Sequence, residues 1–157
     1  MKNSIVLLLL LLPFAIGSGA FADDSGDDYG DSANKANASE IESRMQKARS
    51  LIGKTQYKQA IRELNKVVRN DWQNADAWNL LGYSNRKLGK FKKAGKAYRK
   101  ALKFNPRHKG ALEYQGELFI SLKAYDKARK NRDRLAELCP SGCDELSDLE
   151  QALAAIQ

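Results

Sequence analysis

The sequence predicts an all-α fold, a short right-handed α-solenoid of stacked helical hairpins with a last helix covering one end. The first reason is an internal period of 34 residues, carried by Tyr57, Phe91 and Tyr125 and by Ala60, Ala94 and Ala128. The second reason is that apolar residues within each period lie at helical spacing, with breaks between the helices. Such units cannot bury their apolar faces alone, so they stack on one another.

The middle unit, residues 75–108, shows the pattern most completely. Its first helix carries apolar or small residues on one face, at Trp78, Leu81, Gly82 and Leu88. Its second helix does the same at Phe91, Ala94, Tyr98, Ala101 and Leu102. Gly89 separates the helices and Asn105-Pro106 ends the unit. Each unit is therefore predicted to be a helical hairpin.

These positions resemble a full tetratricopeptide repeat. Residues 41–74 and 109–142 resemble weaker copies, so the resemblance implies three repeats over residues 41–142. The first copy departs from the pattern at Arg44, Lys47 and Lys54-Thr55, and the third at Leu112, Gln115 and Arg132. Departures of this kind are expected of end repeats, which have one side facing solvent.

Residues 143–157 are predicted to form a capping helix. Leu146, Leu149, Leu153 and Ile156 are spaced by three, four and three residues, which is typical of an amphipathic helix. Its apolar face is expected to cover the third repeat. With this helix the chain should contain seven.

Residues 1–22 are interpreted as a secretory signal peptide. A basic start at Lys2 precedes an apolar run from residue 5 to 12, and Ala20-Phe21-Ala22 forms a small-x-small cleavage site. The competing interpretation is an uncleaved membrane anchor. With this leader the chain is similar to small exported tetratricopeptide proteins of proteobacteria, a group without an assigned activity. The expected location is the periplasm after cleavage behind Ala22, or alternatively the medium.

Residues 23–40 contain six acidic residues and one lysine, with few apolar side chains and no period. This composition predicts an acidic disordered tail, because too little surface can be buried to offset the entropy of ordering.

Cys139 and Cys143 are the two cysteines of the chain. In an exported protein they indicate a disulfide, closed across the turn-forming residues Pro140, Ser141 and Gly142. A redox-active pair and two free thiols are the alternatives.

Composition argues against catalysis. The chain has 27 Lys and Arg against 19 Asp and Glu, a net charge of +8, and one histidine, His108, in a turn predicted to be exposed. Glycine-rich phosphate loops and the G-x-S-x-G and H-E-x-x-H motifs are absent from the sequence. We therefore expect a non-enzymatic protein with no cofactor and no metal.

The resemblance implies that the first helices of the repeats form a concave groove for an extended peptide or a helix of a partner protein. The predicted groove residues are Met45, Arg49, Asn79, Tyr83, Arg86, Glu113, Glu117 and Ile120. The chaperone-binding subclass holds a terminal carboxylate with Lys and Asn. The corresponding residues here are Met45, Arg49, Leu80, Gly110 and Tyr114, so that activity is not expected.

A basic surface is the second candidate site. Residues 86–109 contain 11 Lys and Arg and no acidic residue. The six on the second helix of the middle repeat are expected on the convex side: Lys92, Lys93, Lys96, Arg99, Lys100 and Lys103. They predict either a solvated face or a site for anionic lipid or polymer. Nucleic acid is not an expected partner, and dimerisation through an end repeat stays open.

Overall fold

The computed structural model describes residues 28–156, and the side chains of residues 37–156. This part of the chain folds into seven α-helices without a strand. Their bounds are α1 Asp28–Gly53, α2 Tyr57–Asn70, α3 Ala75–Lys87, α4 Phe91–Phe104, α5 Lys109–Ser121, α6 Tyr125–Leu138 and α7 Asp144–Ala154. None of the helices in the described residues is long and apolar enough to cross a membrane. The predicted signal peptide, residues 1–22, lies outside the described part.

The helices pack as antiparallel neighbours in chain order. α1 packs against α2, α3 against α4 and α5 against α6, while α2–α3 and α4–α5 contacts join successive hairpins. α7 packs against both α5 and α6 and so covers the third hairpin. This arrangement confirms the predicted all-α solenoid.

The core is divided among three apolar clusters along the stack. One lies between the first and second hairpins around Leu64, Val67 and Leu81. Another joins the third hairpin to α7 through Leu112, Leu135 and Leu149. The third surrounds Tyr98, which is fully buried in the middle hairpin. Each hairpin thus depends on its neighbour for burial, as the repeat pattern requires.

The turn inside each hairpin needs a residue in the left-handed region. Gly89 has φ of 70° in the middle repeat, and the residues 34 positions away, Thr55 and Lys123, both have φ of 57°. A β-branched residue is strained there, whereas glycine is not. The end repeats therefore keep the turn geometry of the middle repeat at a cost in backbone strain.

Two glycines on the first helices permit close packing at matched positions. A Cβ atom at Gly82 would overlap the buried ring of Tyr98. At Gly116 it would lie 2.6 Å from Leu149 of α7. The third repeat has Arg132 where the middle repeat has Tyr98. Leu149 of α7 therefore occupies the space over Gly116 that corresponds to the space of the Tyr98 ring over Gly82. The capping helix thus completes the third repeat.

α1 extends further toward the N-terminus than the sequence analysis predicts. Residues 28–40, assigned to a disordered tail, are helical in the structure. Extending a helix costs less than nucleating one, and the packed part of α1 supplies the nucleus. Arg44 holds this part by ion pairs to Glu40 at 2.6 Å and to Glu63 of α2 at 2.9 Å.

The two cysteines lie at the turn between α6 and α7. Cys139 and Cys143 have Cα atoms 5.9 Å apart in a disulfide-compatible arrangement. Gly142 has φ of 90°, and this left-handed conformation lets the chain reverse its direction between Cys139 and Cys143. The pair ties the start of the capping helix to the end of the third hairpin.

Candidate binding groove

Four side chains from α3 and α5 meet across the junction of the second and third hairpins. We call Tyr83, Arg86, Tyr114 and Glu117 the groove cluster. The rings of Tyr83 and Tyr114 have centroids 4.9 Å apart, and an Arg86–Glu117 ion pair joins the same two helices. The two residues that each helix contributes are three positions apart, which places them on one face of that helix. The cluster brings together three of the predicted groove residues, Tyr83, Arg86 and Glu117, and adds Tyr114.

Arg86 lies between the two aromatic rings. Its guanidinium carbon is 5.6 Å from the Tyr83 centroid and 5.8 Å from that of Tyr114, within the range of cation–π attraction. Its side chain is only 14% exposed. The Nε atom has no hydrogen-bond partner, and the buried hydroxyl of Tyr98 behind it has none either. Burial raises the pKa of Tyr98, so this hydroxyl stays protonated and available as a donor.

Glu113 is a buried carboxyl one turn before Glu117 on α5. The residue is 6% exposed. Burial, and then repulsion from Glu117, Asp148 and Glu145, raise its pKa to about 8, while Arg86 opposes the shift. Two like charges one helical turn apart already disfavour ionisation of both. The protonated form of Glu113 is therefore favoured at neutral pH.

Three further residues act on this site although they are not among the predicted groove contacts: Tyr114, Glu145 and Asp148. Tyr114 belongs to the groove cluster, and burial raises its pKa to about 12. Glu145 and Asp148 lie in the first half of α7, close enough to act on Glu113. The sequence contains one indication of their position. Glu145 and Asp148 are three residues apart, so they lie on one side of α7 next to its Leu146–Leu149 face.

The N-terminal end of the groove is held by polar contacts among α1, α3 and α5. Arg49 lies 3.9 Å from Asp76, whose carboxylate is also 3.0 Å from His108 Nε2. His108 is the N-cap of α5, accepting a hydrogen bond at Nδ1 from the Ala111 amide at 3.2 Å. Its side chain is 12% exposed, so the prediction of an exposed turn residue is wrong. Capping holds the ring against the helix start.

Met45 and Ile120 do not lie in the groove cluster. Met45 is 2% exposed and belongs to the core between the first two hairpins, so its predicted role as a groove contact is corrected. It shares a helix face with Ala48, three residues on, and that face packs inward. Ile120 is half-buried against the cluster that joins the third hairpin to α7. Asn79 is 7% exposed and lines a small cleft of about 200 Å³ with Arg49 and Asp76.

The basic face is defined by the six cationic residues of α4. All six are exposed, and within the described residues none of them forms an ion pair with a carboxylate: Lys92, Lys93, Lys96, Arg99, Lys100 and Lys103. Lys100 Nζ lies 3.8 Å from the centroid of the Trp78 ring, a close cation–π contact. The structure thus leaves most of this charge without a partner inside the protein.

Two clefts with apolar floors border the basic face. One of about 350 Å³ lies toward α2, with Ile61, Trp78 and Leu81 on its floor. Asn85, a small residue at a position where the repeat pattern has a large one, lines it. The other, of about 330 Å³, lies toward α5, with Phe91, Leu118 and Phe119 on its floor. Lys96 borders both clefts, so α4 forms a cationic ridge between them.

Comparison with known proteins supports the repeat assignment. Residues 75–108 match the family model described as tetratricopeptide repeat. No curated protein sequence matches the chain. The first repeat domain of Spaghetti (RPAP3), bound to the HSP90 peptide SRMEEVD, is 20% identical with a TM-score of 0.67, covering 75% of this chain and 94% of that one. The Arabidopsis OM64 domain is 18% identical with a TM-score of 0.69, covering 77% and 99%.

A third similar structure is the TPR2B domain of yeast Sti1 in complex with an Hsp70 peptide. It is 16% identical with a TM-score of 0.68, and the match covers 75% of this chain and 98% of that one. The fold defines an all-α helical-repeat protein. The match to the tetratricopeptide repeat family covers residues 75–108, and these solved structures show the same fold over about 75% of the chain.

Proposed function

We propose that this protein is a non-enzymatic interaction module that binds a peptide or helix of a partner protein in its groove. The groove cluster is the observation that carries the proposal. Tyrosine and arginine dominate binding energy at protein interfaces, and here both types are held by packing rather than free in solvent. A partner would meet preordered side chains and lose little entropy in ordering them. Similar domains bind peptides of HSP90 and HSP70.

The groove differs from one that clamps a terminal carboxylate. Glu117 belongs to the groove cluster and Glu113 lies one helical turn before it, and the one arginine of the cluster is already paired with Glu117. We therefore do not expect this groove to bind the acidic peptides that those domains bind.

Tyr83→Ala and Arg86→Ala are expected to weaken partner binding at least 10-fold. The first removes an aromatic contact surface, and the second also leaves Glu117 without its cation. The test is affinity capture from an envelope extract with a salt step and then denaturant. A protein retained by the wild type through the salt step should be lost from both variants. Tyr83→Phe and Arg62→Ala, an exposed arginine of α2, serve as controls. Equal retention by all variants would place the binding surface elsewhere.

We further propose that the module works in a bacterial envelope, most simply in the periplasm. The basic start, apolar run and Ala20-Phe21-Ala22 site of residues 1–22 support this location. N-terminal sequencing of the protein from fractionated cells should find Asp23 first, in the periplasmic fraction. An intact leader in the membrane fraction would instead favour an anchor.

The basic face supports a second candidate function, binding of anionic envelope lipid or polymer. Its six cations are exposed on one helix with no carboxylate partner in the described part of the chain. An exposed tryptophan, Trp72, lies beside this helix with its ring 5.1 Å from that of Phe104, and Trp side chains favour the membrane interface. Each lysine near an anionic surface contributes about 1 kcal/mol.

The double variant Lys96→Glu and Lys100→Glu is expected to reduce binding to phosphatidylglycerol vesicles by roughly 100-fold at low salt. Two charges are reversed, and the wild-type interaction itself should fall steeply with added salt. Vesicle co-sedimentation measures both effects. The matched control is Lys58→Glu with Lys130→Glu, which reverses two exposed lysines on α2 and α6. The same loss in the control would mean that only total charge matters.

A further inference from the structure

The cleft between α2 and α4, called here the α2–α4 cleft, combines an apolar floor with a cationic border. Its volume of about 350 Å³ lies within the range of small-molecule sites, roughly 300–1,000 Å³. Apolar side chains of three helices form the floor: Ile61, Trp78, Leu81 and Ala97. Among the described residues no Asp or Glu lines the cleft, whereas four lysines do: Lys90, Lys93, Lys96 and Lys100.

Asn85 leaves the space of this cleft open. The residues 34 positions away, Leu51 and Phe119, give the first and third repeats a large apolar side chain at the same position. Asn85 is held against its own helix, because its Nδ2 atom donates a hydrogen bond to the Leu81 carbonyl at 2.7 Å. Phe119, by contrast, forms part of the floor of the neighbouring cleft. The middle repeat thus lacks the side chain that would fill the α2–α4 cleft.

The lysines of the cleft have no negative partner in the described part of the chain, where the ion pairs are formed by other cations. Lys90, Lys93 and Lys96 are spaced by three residues, which places them on one side of α4. Like charges at this spacing destabilise a helix, and residues 86–109 contain no acid to offset them. A bound anion would relieve this repulsion.

The two ends of the cleft differ in chemistry. Lys90 lies next to Asn85, since its backbone amide donates a hydrogen bond to the Asn85 carbonyl at 2.8 Å. At the other end Lys100 Nζ lies 3.8 Å from the centroid of the Trp78 ring, so this ammonium group is already engaged. Trp78 and Asn85 are two helical turns apart, about 10 Å along α3. The cleft therefore runs from unpaired lysines to an aromatic surface.

We propose that the α2–α4 cleft binds one molecule of a single-chain anionic amphiphile, with its anionic head at Lys90 and Lys93 and its alkyl chain on Leu81 and Trp78. Burial of the chain supplies hydrophobic free energy, and the ammonium groups donate charge-assisted hydrogen bonds to the head. This site is separate from the groove. It also goes beyond surface binding of envelope lipid, because it requires a cleft of defined shape as well as charge.

A small amphiphile fits this cleft better than a partner helix or an acidic polymer. A stable protein interface buries about 800 Å² on each partner, and its centre is depleted of lysine. Here the apolar floor is confined to one cleft, and lysines border it along α4. A polymer would use the cations but gain nothing from the floor. These two occupants are the alternatives that the test separates.

The test is isothermal titration calorimetry of the purified protein with decanoate, below its micelle-forming concentration and at physiological salt. Decanol measures the need for the anionic head, and acetate measures the need for the chain. We expect one decanoate to bind per protein molecule. Decanol and acetate should each bind at least 10-fold more weakly than decanoate.

Two variants separate the shape of the cleft from its charge. Asn85→Leu introduces the residue of the first repeat and fills the cleft without changing a lysine. Lys90→Gln with Lys93→Gln removes two cations that line this cleft and not the one toward α5. Each variant should bind decanoate at least 10-fold more weakly than the wild type. The control, Lys58→Gln with Lys130→Gln on α2 and α6, should bind normally. Thermal unfolding of every variant should match the wild type or exceed it.

The outcomes separate this site from the functions proposed above. Loss of decanoate binding in both variants would establish the proposal. Wild-type affinity in Asn85→Leu would overturn the assignment to the cleft, and equal affinity for decanol would overturn the role of the lysines. No decanoate binding would overturn the proposal, while vesicle binding by the wild type would leave the surface function standing. A protein captured by the wild type and lost only from Asn85→Leu, without decanoate binding, would make a partner segment the occupant instead.

Discussion

Gly82→Ala is expected to lower the free energy of unfolding by about 2 kcal/mol, although alanine is the better helix former. Its Cβ atom would overlap the ring of Tyr98, which is fully buried and cannot move without disturbing the packing of α4 on α3. Overpacking of a filled core costs about 1–3 kcal/mol, and the removed glycine returns at most about 1 kcal/mol. Thermal or urea unfolding of the variant measures the difference.

Gly95→Ala is the matched control for Gly82→Ala. Gly95 also lies inside a helix of the middle repeat, but an added Cβ atom would lie 3.5 Å from Leu118, an ordinary contact. The control should be neutral or more stable by up to about 1 kcal/mol, since alanine restricts the unfolded chain. The two alanine variants should thus differ by about 3 kcal/mol. Equal stability of the two would mean that the packing of Tyr98 on Gly82 does not limit the fold.

Glu113→Gln is expected to stabilise the free protein at alkaline pH and to leave it nearly unchanged in acid. In the folded protein burial raises the pKa of Glu113 to about 8, from an ordinary 4.5. Between these values the native state holds a proton that the unfolded state has lost, so wild-type stability falls as pH rises through this window. Above pH 8 the carboxyl group of Glu113 ionises in the folded protein as well, and the stability of the wild type falls no further. Glutamine stays neutral and removes this dependence.

At pH 9 the free energy of unfolding of Glu113→Gln should exceed that of the wild type by about 1–2 kcal/mol. This difference is well below the value that the whole pKa shift would give, because solvent at the groove screens the carboxylate. Urea unfolding at a series of pH values measures it, with Glu137→Gln as the control that should follow the wild type. Curves for Glu113→Gln and wild type that stay parallel from pH 5 to 9 would contradict the raised pKa. The charged groups that act on Glu113 are Glu117, Asp148, Glu145 and Arg86.

The sequence by itself determined the architecture, because helical repeats are specified by local pattern. The 34-residue period gave the spacing of the hairpins, and Gly89 gave the turn of the middle repeat, which the structure places in the left-handed region. In a solenoid each unit contacts only the next unit, so the sequence pattern of two successive units contains most of the information that determines the fold. The exposure of the six cations on α4 followed from helical phase alone.

Residues 28–40 and Met45 show where sequence pattern was insufficient. Composition predicted disorder for the first, but the packed remainder of α1 supplied a nucleus from which the helix extends. Met45 had the spacing of a groove residue, yet α1 turns its Met45–Ala48 face into the core. Helical phase gives relative positions on a helix, whereas the neighbouring helix decides which face is covered.

Only the tertiary structure decided the chemistry of the groove. Glu113 and Asp148 are 35 residues apart, and nothing local to either one indicates that α7 brings them near each other. Leu149 of α7 occupies the space beside Gly116, because Arg132 does not fill this space as Tyr98 does in the middle repeat. The docking of α7 by Leu149 also brings Glu145 and Asp148 close to the groove residue Glu113. The pKa of a carboxyl group depends on burial and on charges through space, so it appears only when the helices are packed.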